Sequence, residues 1–193
     1  MPEGLVQLTD PRALRAVAHP TRLQLLGELR RLGPLTATQA GERIGPSPAA
    51  CSYHLRQLAK YGLVEEAGGG RGRARPWQAT AMGHEWASRG PGGEPDDASD
   101  MLTRVVAEHW FEEALAWVER RRGETEEWAE AAVFEDRQLY LTPAELEDLG
   151  RRIGELLEPY AGRVSDPASR PAQARPATYI QIAFPIEDEG PVG

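Results

Sequence analysis

Helix-capping residues followed by proline, and Gly-Pro pairs, recur through the first sixty positions and confine the chain to short helices. Asp10-Pro11 and Ser47-Pro48 each place a capping side chain directly before a proline at the first helical position. Gly33-Pro34 and Gly45-Pro46 are typical of the points where helices end. The predicted helices are Pro11–Ala18, a second that follows His19-Pro20-Thr21 and ends at Gly33, Ala37–Ile44 with Thr36 as its cap, and Ser47–Tyr61.

A two-stranded hairpin is predicted directly after the fourth helix. Leu63–Ala67 and Pro76–Thr80 have the composition of strands, and Gly68–Arg75 between them is rich in glycine and arginine. Thr80 is expected to cap one more short helix, Ala81–Ser88. The predicted order of elements is that of a winged helix-turn-helix: helices, a tight turn, a further helix and then a hairpin with a basic tip.

The second half of the chain is predicted to be a separate region. Residues 89–100 read RGPGGEPDDASD, which offers little that can be buried, so 90–100 is interpreted as a linker. Beyond it, the expected elements are a helix Met101–Arg122, a strand-rich stretch Glu130–Leu141, a helix from the capping box at Thr142 to Tyr160, and a strand Thr178–Ile186. The fold class is therefore α+β and mainly helical, with a winged helix-turn-helix over residues 1–89 and an acidic α+β dimerisation or effector region over 101–193.

The net charge of −8 is divided unevenly between the two halves. Residues 1–90 contain 12 basic and 7 acidic side chains, a net charge of +5, whereas residues 91–193 contain 10 and 23, a net charge of −13. Such asymmetry is expected when only one half of a protein approaches phosphate groups.

The helix 47–61 has two faces with different chemistry. Cys51, Leu55 and Leu58 share one face and are expected to pack on the domain core, while the opposite face is polar and begins with small residues that can enter a major groove. The wing, 68–75, is expected to contact the DNA backbone or the minor groove. The predicted DNA-binding residues are Ser47, Ala49, Ser52, Tyr53, His54, Arg56, Lys60, Arg71, Arg73 and Arg75; for His54 a structural hydrogen-bonding role is left open.

Residues 8–82 resemble the ArsR/SmtB-type bacterial regulators. The resemblance rests on His19-Pro20-Thr21-Arg22, on the SxxxxSxHLxxL pattern from Ser47 to Leu58, and on Gly62-Leu63-Val64. It implies a winged helix-turn-helix that binds DNA as a dimeric repressor and is released by an effector. The Cys-x-Cys of metal-sensing members is missing from residues 36–45, so the implied regulator is not expected to sense a metal.

Several other classes of function are disfavoured. The sequence has no Gly-rich phosphate loop, GxSxG or HExxH motif, so we expect neither an enzyme nor a bound cofactor or metal. His109 and Glu113 are spaced as a metal pair, but two residues at this spacing are common by chance. No apolar run is long enough for a membrane span, the first residues do not resemble a signal peptide, and the single Cys51 fits a reducing compartment, so a cytoplasmic protein is expected.

The predicted function is that of a transcription regulator, acting as a repressor, that binds a palindromic or pseudopalindromic operator as a homodimer. The long helix Met101–Arg122 and the first helix Pro11–Ala18 are the expected dimer contacts. A small-molecule effector bound in the C-terminal half is a further partner left open, because aromatic residues of that half line either a pocket or an interface. The alternative is a protein-binding module in which the acidic C-terminal half is the functional surface.

Overall fold

The four predicted N-terminal helices form, and three of them begin at the predicted capping residues. In the computed structural model, which describes residues 3–68, 75–90 and 92–186, these helices are α1 Pro11–Val17, α2 Pro20–Leu32, α3 Ala37–Ile44 and α4 Pro48–Ala59. Asp10 accepts from the amide of Arg12 over 2.8 Å, and Thr36 forms a complete capping box with Gln39. His19 caps α2, because its Nδ1 accepts from the amide of Thr21.

Two small sheets flank these helices. β2 Leu35–Thr36, β4 Pro76–Ala79 and β3 Val64–Glu66 form an antiparallel sheet in that order, which confirms the predicted hairpin. β1 Glu3–Gln7 pairs in parallel with β5 Ala81–Glu85, with Leu5 opposite Gly83. The prediction of a helix over Ala81–Ser88 is therefore wrong, because residues 81–85 form a strand that pairs with β1 near the start of the chain.

α5, Asp97–Arg120, begins inside the segment that was interpreted as a linker. Its first turns are part of the N-terminal core, where Ala98, Ser99, Leu102 and Val106 are buried. Two hydrogen bonds tie it to the chain after β5: Ser99 Oγ donates to the carbonyl of Ala87 over 2.6 Å, and Trp86 Nε1 donates to Thr103 Oγ1 over 2.8 Å. The N-terminal half of α5 thus completes the N-terminal core, while the division of the chain at residues 90–100 stays a prediction.

The core lies between α1, α2, α4 and the start of α5. The innermost side chains are Leu25 and Leu26 of α2, Leu55 and Leu58 of α4, and Leu102 of α5, all almost fully inaccessible to solvent. The apolar residues of α1, Leu14 and Val17 among them, are also buried within the chain. α1 therefore keeps little apolar surface for the dimer contact expected of it.

The C-terminal region contains α6 Glu126–Ala131 and α7 Pro143–Ser165, and the predicted capping box at Thr142 starts α7. α7 continues five residues beyond the expected end at Tyr160. The strands expected within Glu130–Leu141 and over Thr178–Ile186 are not present in the described residues, where residues 132–142 and 174–186 have no regular secondary structure. The fold as a whole is α+β and mainly helical.

Candidate nucleic-acid interface

The turn between α3 and α4 depends on two glycines. Gly45 has φ +96°, a left-handed conformation that glycine adopts without strain, and it ends α3 with a hydrogen bond to the carbonyl of Gly41. Gly41 is buried, and a Cβ atom there would lie 2.6 Å from the carbonyl oxygen of Pro46. The side chain of any other residue would therefore push α3 away from the turn that leads into α4.

The inner face of α4 is apolar, as the sequence predicts. Cys51, Leu55 and Leu58 are fully buried against the core. The Cys51 thiol lies 3.7 Å from the carbonyl oxygen of Pro46, and burial raises its pKa. A protonated, buried thiol is a poor metal ligand and a poor nucleophile, so Cys51 acts as a small core residue.

The outer face of α4 presents polar and basic side chains to solvent. Ser47 Oγ caps the helix by accepting from the amide of Ala50, and its own proton remains available to a phosphate oxygen. Arg56 is exposed, and its Nη2 donates to Ser52 Oγ one turn earlier over 2.9 Å. Tyr53 is 54% exposed on the same side of the helix. This face can therefore donate hydrogen bonds to base edges and phosphates.

The remaining predicted positions of α4 lie at its two ends. Ala49, in the first turn, is exposed and leaves room for close approach of another molecule. Lys60 forms the C-terminal cap, and its ammonium group lies 5.5 Å from the centroid of the Tyr61 ring. The exposed predicted residues thus extend along the whole length of α4.

His54 faces the body of the domain. Its ring lies 4.6 Å from that of His19, and its Nδ1 accepts from Nε of Arg22 over 3.4 Å. Arg22 also donates to the carbonyl of Ala16, so it connects α1, α2 and α4. Burial and the nearby Arg22 charge lower the pKa of both histidines, which favours the neutral rings that accept these hydrogen bonds.

Arg22 and Gly41 are positioning residues whose roles are not evident from the sequence. Arg22 stands in the quoted HPTR motif, but its partner His54 is 32 residues away and cannot be identified from local pattern. Gly41 lies inside a helix, where glycine is unfavourable without a packing reason. The one sequence signal for Gly41 is a glycine within a short helix that precedes a turn.

The wing is described only at its base. Arg75 forms an ion pair with Glu66 of β3, with Nη1 2.6 Å from the carboxylate, and both side chains are largely exposed. Arg71 and Arg73 lie outside the described residues. The predicted contacts of all three arginines with DNA stay predictions.

A partly buried pair of side chains connects α2 to β5. Arg30 of α2 donates from Nε to the carbonyl of Ala81, and its Nη2 lies 2.6 Å from Nδ1 of His84. Burial lowers the Arg30 pKa to about 10. Burial and the adjacent Arg30 charge lower the His84 pKa to about 4, so this ring is neutral at neutral pH and accepts the hydrogen bond from Arg30.

The C-terminal region is organised differently from the domain that holds α4. Among the described residues after Val106, none is buried. Phe111 and Leu115 on the second half of α5 are more than 60% exposed, and Leu156 and Tyr160 on α7 are similarly accessible. Apolar surface of this extent is typical of residues that another molecule covers.

Neither a metal cluster nor a membrane-spanning helix is found in the described part of the chain. No group of three or more His, Cys, Asp or Glu side chains in the described part of the chain is arranged to hold a metal ion. His109 Nε2 lies 3.8 Å from the Glu113 carboxylate, which makes this pair a weak helix-surface contact. None of the described helices combines the length and the apolar character needed to cross a membrane.

The comparison with known families agrees with the geometry of the N-terminal half. Residues 17–67, from the end of α1 to β3, match the model of a family described as a helix-turn-helix domain. No curated protein is significantly similar to the chain. The match covers α2, α3, α4 and the turn at Gly45, and it supports a DNA-binding regulator whose helix-turn-helix presents the outer face of α4.

Proposed function

We propose that the protein is a cytoplasmic transcription regulator that binds a specific operator with α4 in the major groove. The observation that carries this proposal is the outer face of α4, where Ser52, Tyr53 and Arg56 are accessible to solvent. The inner face of the same helix is buried against the core. An α-helix with its side chains fits a major groove about 12 Å wide. Phosphate contacts from Ser47 and the wing arginines would fix the orientation of α4 on the duplex.

The proposed regulator acts as a homodimer. A single recognition helix reads only a few base pairs, so specific binding requires two copies on the half-sites of a palindromic or pseudopalindromic operator. Phe111, Leu115 and Val118 recur at helical spacing on α5 and are all exposed. This face of α5 is the proposed dimer helix, in preference to α1, whose apolar side chains are buried within the chain.

The proposed regulatory outcome is repression of the ArsR/SmtB type, in which occupancy of the operator blocks transcription. A small-molecule effector would bind in the C-terminal half, where Leu146 of α7 and Gln181 face Leu5 and His84 across an open, mainly apolar cleft. Leu5 and His84 belong to the N-terminal half, and His84 is hydrogen-bonded to Arg30 of α2. A ligand in this cleft would therefore contact the domain that holds α4. The proposed protein has no catalytic role.

The proposal is tested by selecting duplexes from a random library with the full chain. We expect enrichment of an inverted repeat whose half-sites lie about 34 Å apart, or a multiple of this, as two-fold symmetry requires. The control is a chain with Ser52→Asp and Arg56→Asp, which places negative charge on the outer face of α4 and should enrich nothing. Equal enrichment by the control, or none by the unaltered chain, would contradict the proposal.

The alternative is that the acidic C-terminal half binds another protein and the winged helix is only a scaffold. Its supporting observation is the exposed apolar surface of α5 and α7. This alternative would be favoured if the chain binds a protein partner and enriches no DNA sequence from the random library.

A further inference from the structure

A second cleft lies between the C-terminal end of α2, β4 and the C-terminal end of α7. Its volume is about 280 Å³, close to the lower end of the range of about 300–1,000 Å³ that is usual for small-molecule sites. It shares no lining residue with the cleft at Leu5 and His84 in which the effector is proposed to bind. The apolar part of its lining includes Leu32, Pro34, Met82, Val164 and Pro167. The cleft is therefore a separate site with room for a small molecule.

Three arginines line this second cleft, here called the arginine cleft. Arg30 and Arg31 come from the last turn of α2, and Arg170 comes from the chain that follows α7. The other polar side chain of the lining is Gln78 of β4, and none of the described residues that line the cleft is Asp or Glu. The lining is therefore cationic at neutral pH.

Two of these guanidinium groups have only neutral hydrogen-bond partners. Arg30 donates to the carbonyl of Ala81 over 3.1 Å and lies beside the neutral ring of His84. Arg170 donates to two backbone carbonyls at the end of α7, over 2.6 and 2.8 Å. Among the described residues no carboxylate pairs with either group, although burial already lowers the Arg30 pKa to about 10. Because a charge withdrawn from water is costly without a partner, both groups favour an added anion.

The third arginine has a carboxylate partner, but it shares this partner. Glu28 pairs with Arg31 and, through its other oxygen, with Arg43 of α3. Gln78 donates to the carboxylate of Glu65 over 2.7 Å, and Glu65 does not line the cleft. Among the described residues, the three lining arginines thus have one carboxylate partner between them, and a fourth arginine also uses it.

We propose that the arginine cleft binds a small molecule that carries a carboxylate on an apolar body. The planar guanidinium group matches the geometry of a carboxylate and can bind both of its oxygens. The apolar lining would be covered by the body of the same molecule, which removes apolar surface from water. Inorganic phosphate offers the charge without such a body. The inference goes beyond the proposed function and does not depend on DNA binding.

The position of the cleft gives such a ligand contacts in both halves of the chain. Arg30 and Arg31 belong to α2 and Gln78 to β4, the strand at the base of the wing, whereas Val164 and Arg170 belong to the C-terminal region. A ligand in the arginine cleft would therefore join the N-terminal domain to the end of α7.

The test is the affinity of the full chain, without DNA, for 2-naphthoate, measured by isothermal titration calorimetry. Two further probes separate the contributions: 2-naphthamide has the same apolar body without charge, and inorganic phosphate has charge without an apolar body. We expect one 2-naphthoate to bind per chain, at least about tenfold more tightly than either of the other probes, since charge-assisted hydrogen bonds and apolar burial are both required.

Two variants and a matched control locate the site. Arg31→Gln and Arg170→Gln should each weaken 2-naphthoate binding about tenfold, because each removes a charged donor from the cleft. The control is Arg43→Gln, which should leave the affinity unchanged. Its side chain is 43% exposed against 40% for Arg31, and it pairs with the same Glu28, but it does not line the cleft.

The inference is overturned if 2-naphthoate does not bind, or if 2-naphthamide or phosphate binds as tightly. It is also overturned if either folded variant keeps the affinity of the unaltered chain, or if Arg43→Gln weakens binding equally. Arg31→Gln alone decides the test if Arg170→Gln loses the circular dichroism spectrum of the unaltered chain. A chain that binds 2-naphthoate in this way but selects no DNA sequence would overturn the proposed function and leave the arginine cleft in place.

Discussion

On the outer face of α4, the hydrogen bond from Arg56 to Ser52 holds the guanidinium beside the first turns of the helix, where it can reach a base edge. Bidentate contact with guanine is the commonest specific contact of arginine in a major groove. Arg73 lies in the glycine- and arginine-rich stretch 68–75 that is predicted to be the wing, and its proposed role is to contact the DNA backbone or a narrow minor groove. In this proposal Arg56 recognises the DNA sequence, and Arg73 anchors the protein to the duplex.

Arg56→Ala should weaken binding to a selected operator by about 1–3 kcal/mol and leave binding to scrambled DNA almost unchanged. Arg73→Ala should weaken both by similar factors and reduce the salt dependence by about one phosphate contact. Titrations of both variants with both duplexes measure this difference. If Arg56→Ala weakens the two duplexes equally, or neither of them, α4 does not read sequence through Arg56.

Protonation of His84 opposes folding. Its pKa is about 4 in the folded protein and 6.5 as the ordinary value, so the unfolded chain binds more protons between these pH values. The stabilising contribution of the neutral ring is complete above pH 6.5 and is lost as the pH falls through this window. His84→Gln keeps a hydrogen-bond acceptor for Arg30 without a titrating ring. The melting temperature of this variant should therefore fall less between pH 7 and pH 5 than that of the unaltered chain. The unaltered chain is the reference and should show the full fall; an equal fall in the His84→Gln variant would refute the assignment.

At the scale of elements, the separation of α3 from α4 is set by Gly41. Gly41→Ala places a Cβ atom 2.6 Å from the Pro46 carbonyl oxygen, and backbone must move to relieve this contact. We expect a loss of about 1–3 kcal/mol in the free energy of unfolding, measured by chemical denaturation, together with weaker operator binding.

Gly27→Ala is the matched control for this substitution. Gly27 also lies inside a helix, α2, but a Cβ atom there meets nothing within 4 Å. Alanine should therefore stabilise α2 by about 0.5–1 kcal/mol and leave DNA binding unchanged. Similar effects of the two alanines would mean that the close approach at Gly41 does not position α4.

Elements whose signals are local could be predicted from sequence, and those that depend on distant partners could not. Asp10, Thr36 and Ser47 cap helices through amides two or three residues away, so α1, α3 and α4 are readable from short windows. Ala81–Glu85 resembles a capped helix locally but pairs with β1, more than seventy residues earlier. The inner face of α4 follows from helical spacing alone, whereas the Arg22–His54 contact that orients this helix does not.

At the scale of the whole molecule, charge separates the two proposed roles. The net charge of +5 on residues 1–90 lies on the part that contains α4 and the wing, and the net charge of −13 lies on the part proposed to hold the dimer and the effector. An acidic protein can therefore bind DNA, provided that its basic half alone approaches the phosphates. The acidic half would then disfavour any orientation in which it faces the duplex.

The most direct test of a DNA-binding regulator built on α4 is the affinity of the full chain for a selected operator and a scrambled duplex across a series of salt concentrations. The account predicts that the logarithm of affinity falls linearly with that of salt concentration for both duplexes, with a slope of about −0.9 per phosphate contact. It also predicts that the operator stays preferred throughout, and that Arg56→Ala reduces this preference. An affinity that does not change with salt, or one equal for the two duplexes, would contradict it.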